Sequence, residues 1–510
     1  MGVERIHACL NHCILYRGKY ENLDKCPTCG AGRYKRNDIF QGDDEAFTNG
    51  KKRKKNDAPD PSEEDTCLGI DEKKRRIPAL VMWYLNPIDR LRRIFANPAI
   101  AKLMQKLSHP ADATQWQRFN ELYPEFAKDP RNVRFVLITD GMNPFGERNS
   151  THSTWPKRKY TMLCGLIQGP KQPGIDIDVF LEPLMEDMAK LWNDGVKMTD
   201  SLIKKDFTFR GMILTTINDY PANFSLFGQI KGKKGCLSCL DAMTSMYLNG
   251  SKKVVYTKYR RFLVEGHRYR RRQFNNHFDG KDEKCSVPRR RHDSKHVFDM
   301  VKKINIVYGK KIKRTKPLLK DLEVPHAIDC MHLKKNVFDS TICTLMDVKG
   351  KTKDGLKSRR DLVNMKIRSE LHPVEQGNGK FMLPVASFNL TSAEKRELSL
   401  VSMKDLSISG YNAHDCHMMM MVFLAIAIRV INPAFVRTVV TRMVYFFNKI
   451  SQKEIRKDEL DSLQEFCTET MAQLKMCFSP SFFDIMPHLI VHMVDQIRAL
   501  GPVYLHEMWA

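Results

Sequence analysis

Two short runs of the chain end beside an acid. In FVLITDGMNPFG (135–146), residues 135–139 are apolar or β-branched without alternation, and Asp140 follows. In FRGMILTTINDYPA, residues 212–217 form a second such run, and Asp219 follows it closely. Runs of this kind suit strands buried on both faces. Gly141, Asn143 and Pro144 then break the first run. An Asp before a turn also simply starts the turn, so each segment alone leaves both readings open. If the two runs are parallel strands joined by a right-handed crossover, both acids arrive at one carboxyl edge, where open α/β sheets carry their sites. Carboxylates converging there repel each other unless a divalent cation lies between them. Mg²⁺ is held by one or two carboxylates plus substrate phosphate oxygens. Two such ions clamp an in-line phosphodiester displacement.

A second chemistry is written in cysteines. Cys9, Cys13, Cys26 and Cys29 stand as C-x3-C and C-x2-C, with Gly30 after the second pair. Thiolate pairs on two turns at this spacing close a tetrahedral zinc site. His7 and His12 are near enough to replace one cysteine. Cys236 and Cys239 are half of another site and need two ligands from elsewhere. His488 and His492, in PHLIVHM, lie at i and i+4 on a predicted helix and so share a face. Such a histidine pair is also ordinary helix surface or core. The remaining cysteines of the 14 are scattered, which argues against a disulfide framework and for metal in a reducing compartment.

The elements that would position these groups are legible in outline. Residues 1–36 read as a small N-terminal zinc module. Residues 37–78 are a polar linker carrying KKRKK (51–55) and then DAPDPSEED, a composition of disorder; the basic run suits a nuclear import signal or one side of a charge-balanced linker. Residues 79–230 form the first part of an α/β core. They begin with helical pattern, then the strand 135–139, a β-like stretch at 160–168, an amphipathic helix at 178–195 and the strand 212–217. Residues 231–320 are a basic insertion containing the second Cys pair. Residues 321–510 read as mostly helical and Met-rich.

Lys and Arg number 84 against 59 acids in 510 residues, a net charge of +25. That excess expects a polyanion, with nucleic acid the default. In the insertion, Arg260, Arg261, Arg270, Arg271, Arg272, Arg289, Arg290 and Arg291 could track a phosphate backbone. Tyr256, Tyr259, Tyr269 and Phe274 interleave with them and could stack on bases. No apolar run reaches spanning length, and Glu4, Arg5 and His7 occupy the place of a signal-peptide core. A soluble, intracellular protein with no membrane partner is expected.

The stretches TDGMNPFG, HSTWP, LIQGPKQPGIDIDVFLEPL, TINDYPA, HAIDCMHLKKNV, GKTKDGLKSRRDLV, HDCHMMM and SPSFFDIMPHLIVHMV resemble the transposase of CACTA (En/Spm-type) plant DNA transposons. The opening CLNHCILYRGKYENLDKCPTCGAGRYK resembles the start of that transposase's core. The resemblance runs from His7 to Tyr504. It implies an RNase H-like DDE/D catalytic domain that cuts and joins DNA at transposon ends with Mg²⁺. Asp140 and Asp219 match its first two acids. It also implies a nuclear protein that forms homo-oligomers and works with a second element-encoded DNA-binding protein. The family is similar to the V(D)J recombinase core, in which a Cys pair after the second acid joins a late His pair on zinc. Cys236, Cys239, His488 and His492 match that layout.

The chain departs from the family pattern in four places. A strand is expected to be missing where Pro156 joins Lys157, and a further stretch near Leu400. The N-terminal DNA-binding region usual in the family ahead of the first Cys cluster is expected to be absent. The third acid is expected in a segment beyond Ala510, since Glu507 stands at a different motif position. On that expectation the chain as written is catalytically silent. The alternative is a non-catalytic DNA-binding or partner-binding derivative.

Overall fold

The computed structural model describes residues 2–35, 76–105, 112–139, 161–169, 171–218, 220–227, 232–240, 243–281, 307–308, 312–313, 326–396, 419–424, 428–430 and 433–503. Asp140, Asp219, Arg289, Arg290, Arg291, the basic run 51–55, the Pro156–Lys157 junction and the stretch near Leu400 lie outside the described residues. The chain divides into two compact units. One comprises 1–86, 163–183 and 307–313; the other comprises 87–162, 184–306 and 314–510.

The first unit is built on a three-stranded antiparallel sheet in the order β1 (Val3–Ala8), β2 (Leu80–Leu85) and β4 (Gly165–Ile167). LVMWYL in β2 is apolar throughout because the strand is central: Leu80, Val81, Met82 and Tyr84 are all buried. The segment 1–36 therefore shares a sheet with residues from beyond the linker. The β-like stretch at 160–168 supplies β4 to this sheet. A two-stranded ribbon, β10 (Val307–Tyr308) with β11 (Ile312–Lys313), belongs to the same unit.

The second unit holds a parallel sheet of three strands in the order β12 (His326–Ile328), β7 (Gly211–Asn218) and β3 (Val133–Thr139). The central strand β7 is buried on both faces along most of its length. β3 differs from the doubly buried strand expected of it. It lies at an edge of the sheet, its residues are half-buried, and Val136 is exposed. β12 falls in the part of the chain read as helical. Three residues carry no detectable period, and only pairing with β7 makes HAI a strand. Gln496 completes its outer edge, donating to His326 O at 3.2 Å and accepting from Ile328 N at 2.7 Å. Ile138, Ile217 and Ala327, one from each strand, pack with Ala499 and Leu500.

Around this sheet stand the hairpin β5 (Val196–Asp200) with β6 (Lys205–Phe209), the hairpin β8 (Met246–Leu248) with β9 (Lys253–Val255), and the small ribbon β13 (Val374–Glu375) with β14 (Phe381–Met382). The largest core joins the helices Cys330–Leu345, Ala434–Ile450 and Leu460–Cys477 to the C-terminal segments Ile485–Leu489 and Met493–Leu500. Val436, Val439, Val440, Met443, Val444 and Phe447, at helical spacing, form the buried stripe of one of these helices. No helix among the described residues is long and apolar enough to cross a membrane.

Candidate metal centres and the carboxyl edge of the parallel sheet

In the first unit, two tight turns present the four N-terminal cysteines. Cys9 N donates to Ile14 O and His12 N to Cys9 O; Cys26 N donates to Ala31 O and Gly30 N to Cys26 O. Gly30 has φ +73°, a left-handed conformation that favours glycine, and this lets the chain reverse after Cys29. The four Sγ atoms lie within 4.8 Å of one another, with Cys9 and Cys29 at 3.4 Å. Tetrahedral zinc with thiolates at about 2.3 Å needs sulfur separations of about 3.8 Å, so a small adjustment accommodates the ion.

Burial alone would push the Cys29 thiol up. Hydrogen bonds from the Asn11 side chain and the Ala31 backbone outweigh burial and hold it down, to about 6. Cys9, more enclosed, is pushed up to about 11. Neither histidine belongs to the set. His7 Nδ1 accepts from Arg33 Nε at 2.9 Å, and the His12 ring packs edge-on against Phe180 at 5.5 Å. On this geometry, Cys26→Ser in the full chain should lower bound zinc by about one equivalent, read by elemental analysis. Unchanged metal content would remove these cysteines from the ligand set.

The second centre draws its ligands from two distant parts of the second unit. Cys236 and Cys239 sit on a turn closed by Cys239 N and Leu240 N donating to Cys236 O. The turn is pinned by Tyr220, whose hydroxyl donates to Gly235 O, and by Tyr256, whose hydroxyl donates to Gly232 O. A Cβ at Gly235 would lie 2.5 Å from Tyr220 Oη, so a larger residue there would have to displace the tyrosine hydroxyl that pins the turn. On the other side, Asp484 caps the helix Ile485–Leu489 through Met486 N, and the chain tightens into a 3₁₀ turn at Ile490–His492. His488 and His492 thus face one point.

Cys239 Sγ is 3.2 Å from His488 Nε2 and 3.1 Å from His492 Nε2, and the two Nε2 atoms are 3.2 Å apart. A tetrahedral zinc ion needs N–N and S–N separations of about 3.3–3.5 Å. All four residues are buried, so no coordination position opens to substrate, and the site could hold a structural metal such as zinc. The Cys239 hydrogen bond and the two imidazoles outweigh burial and hold the Cys236 thiol well below its usual range.

At the carboxyl end of the parallel sheet, Thr139, Asn218 and Ile328 stand in register across the three strands. Thr139 Oγ1 donates to Asn218 Oδ1 at 2.6 Å, which ties the two strand ends together. Asp140 and Asp219 are the next residues in the chain after Thr139 and Asn218. A pocket opens at this edge, lined by Asn218, Tyr220, Ser238, Asp329, His332 and Gln496 among others. Ser238 stands between the two metal-site cysteines, so the centre forms part of the pocket wall. Asp329 and His332 were assigned no role from the sequence. Their signals were the third short run followed by an acid, HAID, and the place of HAIDCMHLKKNV among the stretches that carry the resemblance.

The basic insertion behaves unevenly. Arg260 is 1% exposed, donating to Asn275 Oδ1, Lys281 O and Asp279 Oδ1. Arg261 donates to Thr244 Oγ1, and Arg270 to the carbonyls of Arg261 and Leu263. Arg271 and Arg272 are exposed. Contrary to the stacking role expected of them, Tyr256, Tyr259 and Tyr269 are buried core residues, and Phe274 packs edge-on against Tyr269 at 5.2 Å. Tyr256 and Tyr259 join the largest core, and Tyr269 packs with Leu263, Phe278 and Ala472, so the aromatic residues interleaved with the arginines tie this basic stretch to the helical core.

Residues 104–304 match the model of the transposase family tnp2. Residues 450–510 match a domain of unknown function (DUF4218). Neither the curated proteins nor the solved structures give a match to the chain. The transposase-family segment carries Cys236 and Cys239, and the second segment carries His488 and His492. The four-residue centre therefore joins the two.

Proposed function

We propose that the chain is a transposase of the CACTA (En/Spm) type, with an RNase H-like core that cleaves DNA and transfers strands at transposon ends. The observation that carries this reading is the parallel register of β3 and β7, which end together at Thr139 and Asn218, one residue before Asp140 and Asp219. The transposase-family match over the same segment supports it. Asp140 and Asp219 would hold Mg²⁺, which supplies charge neutralisation at the phosphate and a polarised water or hydroxyl nucleophile. Arg271 and Arg272 would contact DNA phosphates together with Arg289, Arg290 and Arg291. A nuclear location, with residues 51–55 as import signal, follows from a DNA substrate.

A second reading is a DNA-binding derivative without catalysis. It is favoured by the split metal centre, whose buried ligands maintain a scaffold with no need of the acids. One experiment separates the two. The chain is incubated with Mg²⁺ or Mn²⁺ and DNA bearing the terminal sequences that flank its own reading frame. Cleavage that disappears in Asp140→Ala and in Asp219→Ala supports the transposase. Binding without cleavage supports the derivative, provided affinity falls steeply with salt and falls further in the Arg271→Glu/Arg272→Glu variant. Cleavage that survives both Asp substitutions would sink the assignment of the acids.

A further inference from the structure

We propose that the N-terminal cysteine centre is redox-sensitive: a peroxide oxidises Cys29, and Cys9 then closes a disulfide with it, releasing the metal ion. Asp140 and Asp219 play no part in it. The four ligands are not alike. Cys9, Cys13 and Cys26 are 0%, 3% and 2% exposed and pack with Ile14 and Tyr16. Cys29 alone of the four is exposed. Its flank is open among the described residues, since a Cβ at the following Gly30 would meet nothing within 4 Å. An oxidant in solvent therefore reaches one sulfur of the set first. Geometry then sets the partner. Cys9 Sγ is 3.4 Å from Cys29 Sγ. Asn11 holds the two sulfurs side by side, donating its backbone N–H to Cys9 Sγ and its side-chain amide to Cys29 Sγ, each at 3.4 Å. A disulfide needs about 2 Å between sulfurs, so a short approach of the two turns closes the pair.

The Cys29 sulfur attacks one peroxide oxygen, the O–O bond breaks, and hydroxide departs, giving a sulfenic acid on Cys29. The Cys9 thiolate attacks the Cys29 sulfur, the S–O bond breaks, and a second hydroxide departs. Two thiolates thus give up two electrons to form one disulfide, and the peroxide that takes them becomes two waters after protonation. Cys13 and Cys26 remain as two donors, too few for a tetrahedral ion, and they take up protons as it leaves. The disulfide joins the same two turns that the ion joined. The module therefore stays cross-linked, and a thiol reductant reverses the change. The second centre offers no such entry point, because Cys236, Cys239, His488 and His492 are all buried. It serves as an internal control.

The test uses the zinc-loaded full chain, freed of reductant and treated with hydrogen peroxide. Released zinc is followed with a chromophoric chelator against an untreated sample. Release of about one equivalent is expected, with the rest slower by about ten-fold or more. The remaining thiols are then alkylated and the tryptic peptides are mapped by mass spectrometry. Peptides 6–17 and 26–33 should be joined through Cys9 and Cys29, with Cys13 and Cys26 alkylated. Excess thiol and zinc should restore the lost equivalent. Cys29→His keeps four donors as a Cys₃His set and should slow the release by about ten-fold or more. If that variant does not take up zinc, the mapped disulfide of the native chain decides. A disulfide between any other pair, zinc retained under peroxide, or both equivalents released together overturns the proposal. So does zinc-loaded Cys29→His releasing its metal as fast as the native chain, or an equivalent that thiol and zinc cannot restore. A reduced chain holding no more zinc than Cys26→Ser overturns the metal assignment and the proposal together.

Discussion

Replacing Cys239 by serine should release about one zinc equivalent and destabilise the second unit more than any surface change. Cys239 Sγ lies within 3.2 Å of both histidine Nε2 atoms and is one of four buried ligands. A preformed site of this kind does not exist in the unfolded chain, so the free energy of metal binding becomes folding free energy. Its ligands come from residues 236–239 and 488–492, so the ion closes a loop of more than half of the described second unit. The substitution should cost on the order of 3–5 kcal/mol. A chelator strong enough to strip the site should do at least as much. Urea unfolding with parallel zinc analysis reads both effects. A Cys239→Ser protein that loses the metal yet keeps its midpoint would show that the centre does not hold the fold. His488→Ala should behave alike, and its effect should not add to that of Cys239→Ser because both remove the same ion.

Arg368→Leu should be nearly as damaging, for a reason unconnected with metal. Arg368 is 2% exposed. Its guanidinium donates to His277 O at 2.8 Å, Phe478 O at 2.9 Å and Cys477 O at 3.3 Å, and also to Lys475 O. Three of these carbonyls end the helix Leu460–Cys477 or follow it, where the helix has no backbone donors left and carries partial negative charge. Burial lowers the arginine to about 10, so it remains charged at neutral pH. A leucine leaves the carbonyls buried without donors. At about 1–3 kcal/mol for each orphaned group after partial relaxation, the loss is on the order of 4 kcal/mol. Lysine should restore only part of it, since one ammonium cannot reproduce a planar fork that reaches several acceptors at once. A shift of less than about 1 kcal/mol for Arg368→Leu in urea would mean that water reaches these carbonyls.

How far the sequence went depended on whether the signal was local. β7 was legible because its continuous apolar and β-branched run, bounded by turn residues, is the pattern of a strand buried on both faces. The helix Ile177–Asn193 was legible from its period. The four N-terminal cysteines were legible because both halves of the ligand set are short turns, whose geometry depends on a few adjacent residues. The burial of Tyr256, Tyr259 and Tyr269 was not. An aromatic between arginines is chemically suited to a nucleic-acid surface and to a core alike, and only the residues packed against it decide. Arg260 shows the same ambiguity: its charge was visible, but Asp279 and Asn275, which surround it, were not assigned to it.

By itself, then, the sequence determined the charge of the molecule, the existence of its longer elements and the chemical identity of two metal-ligand sets. The charge, the elements and the N-terminal set follow from composition, period and short-range spacing, whereas the joining of Cys236 and Cys239 with His488 and His492 was implied by the family resemblance. The tertiary structure decided which elements meet. It made β12 a strand, because three residues gain a stable partner only when β7 and Gln496 lie beside them. It placed β1 and β4 on either side of β2 across long stretches of chain. It brought Cys236 and Cys239 to His488 and His492 across some 250 residues, and it set Asp329 on His332 at the sheet edge. Contacts between distant segments form where complementary surfaces bury apolar area and satisfy polar groups at the same time, and that requirement is a property of the whole folded chain rather than of any window along it.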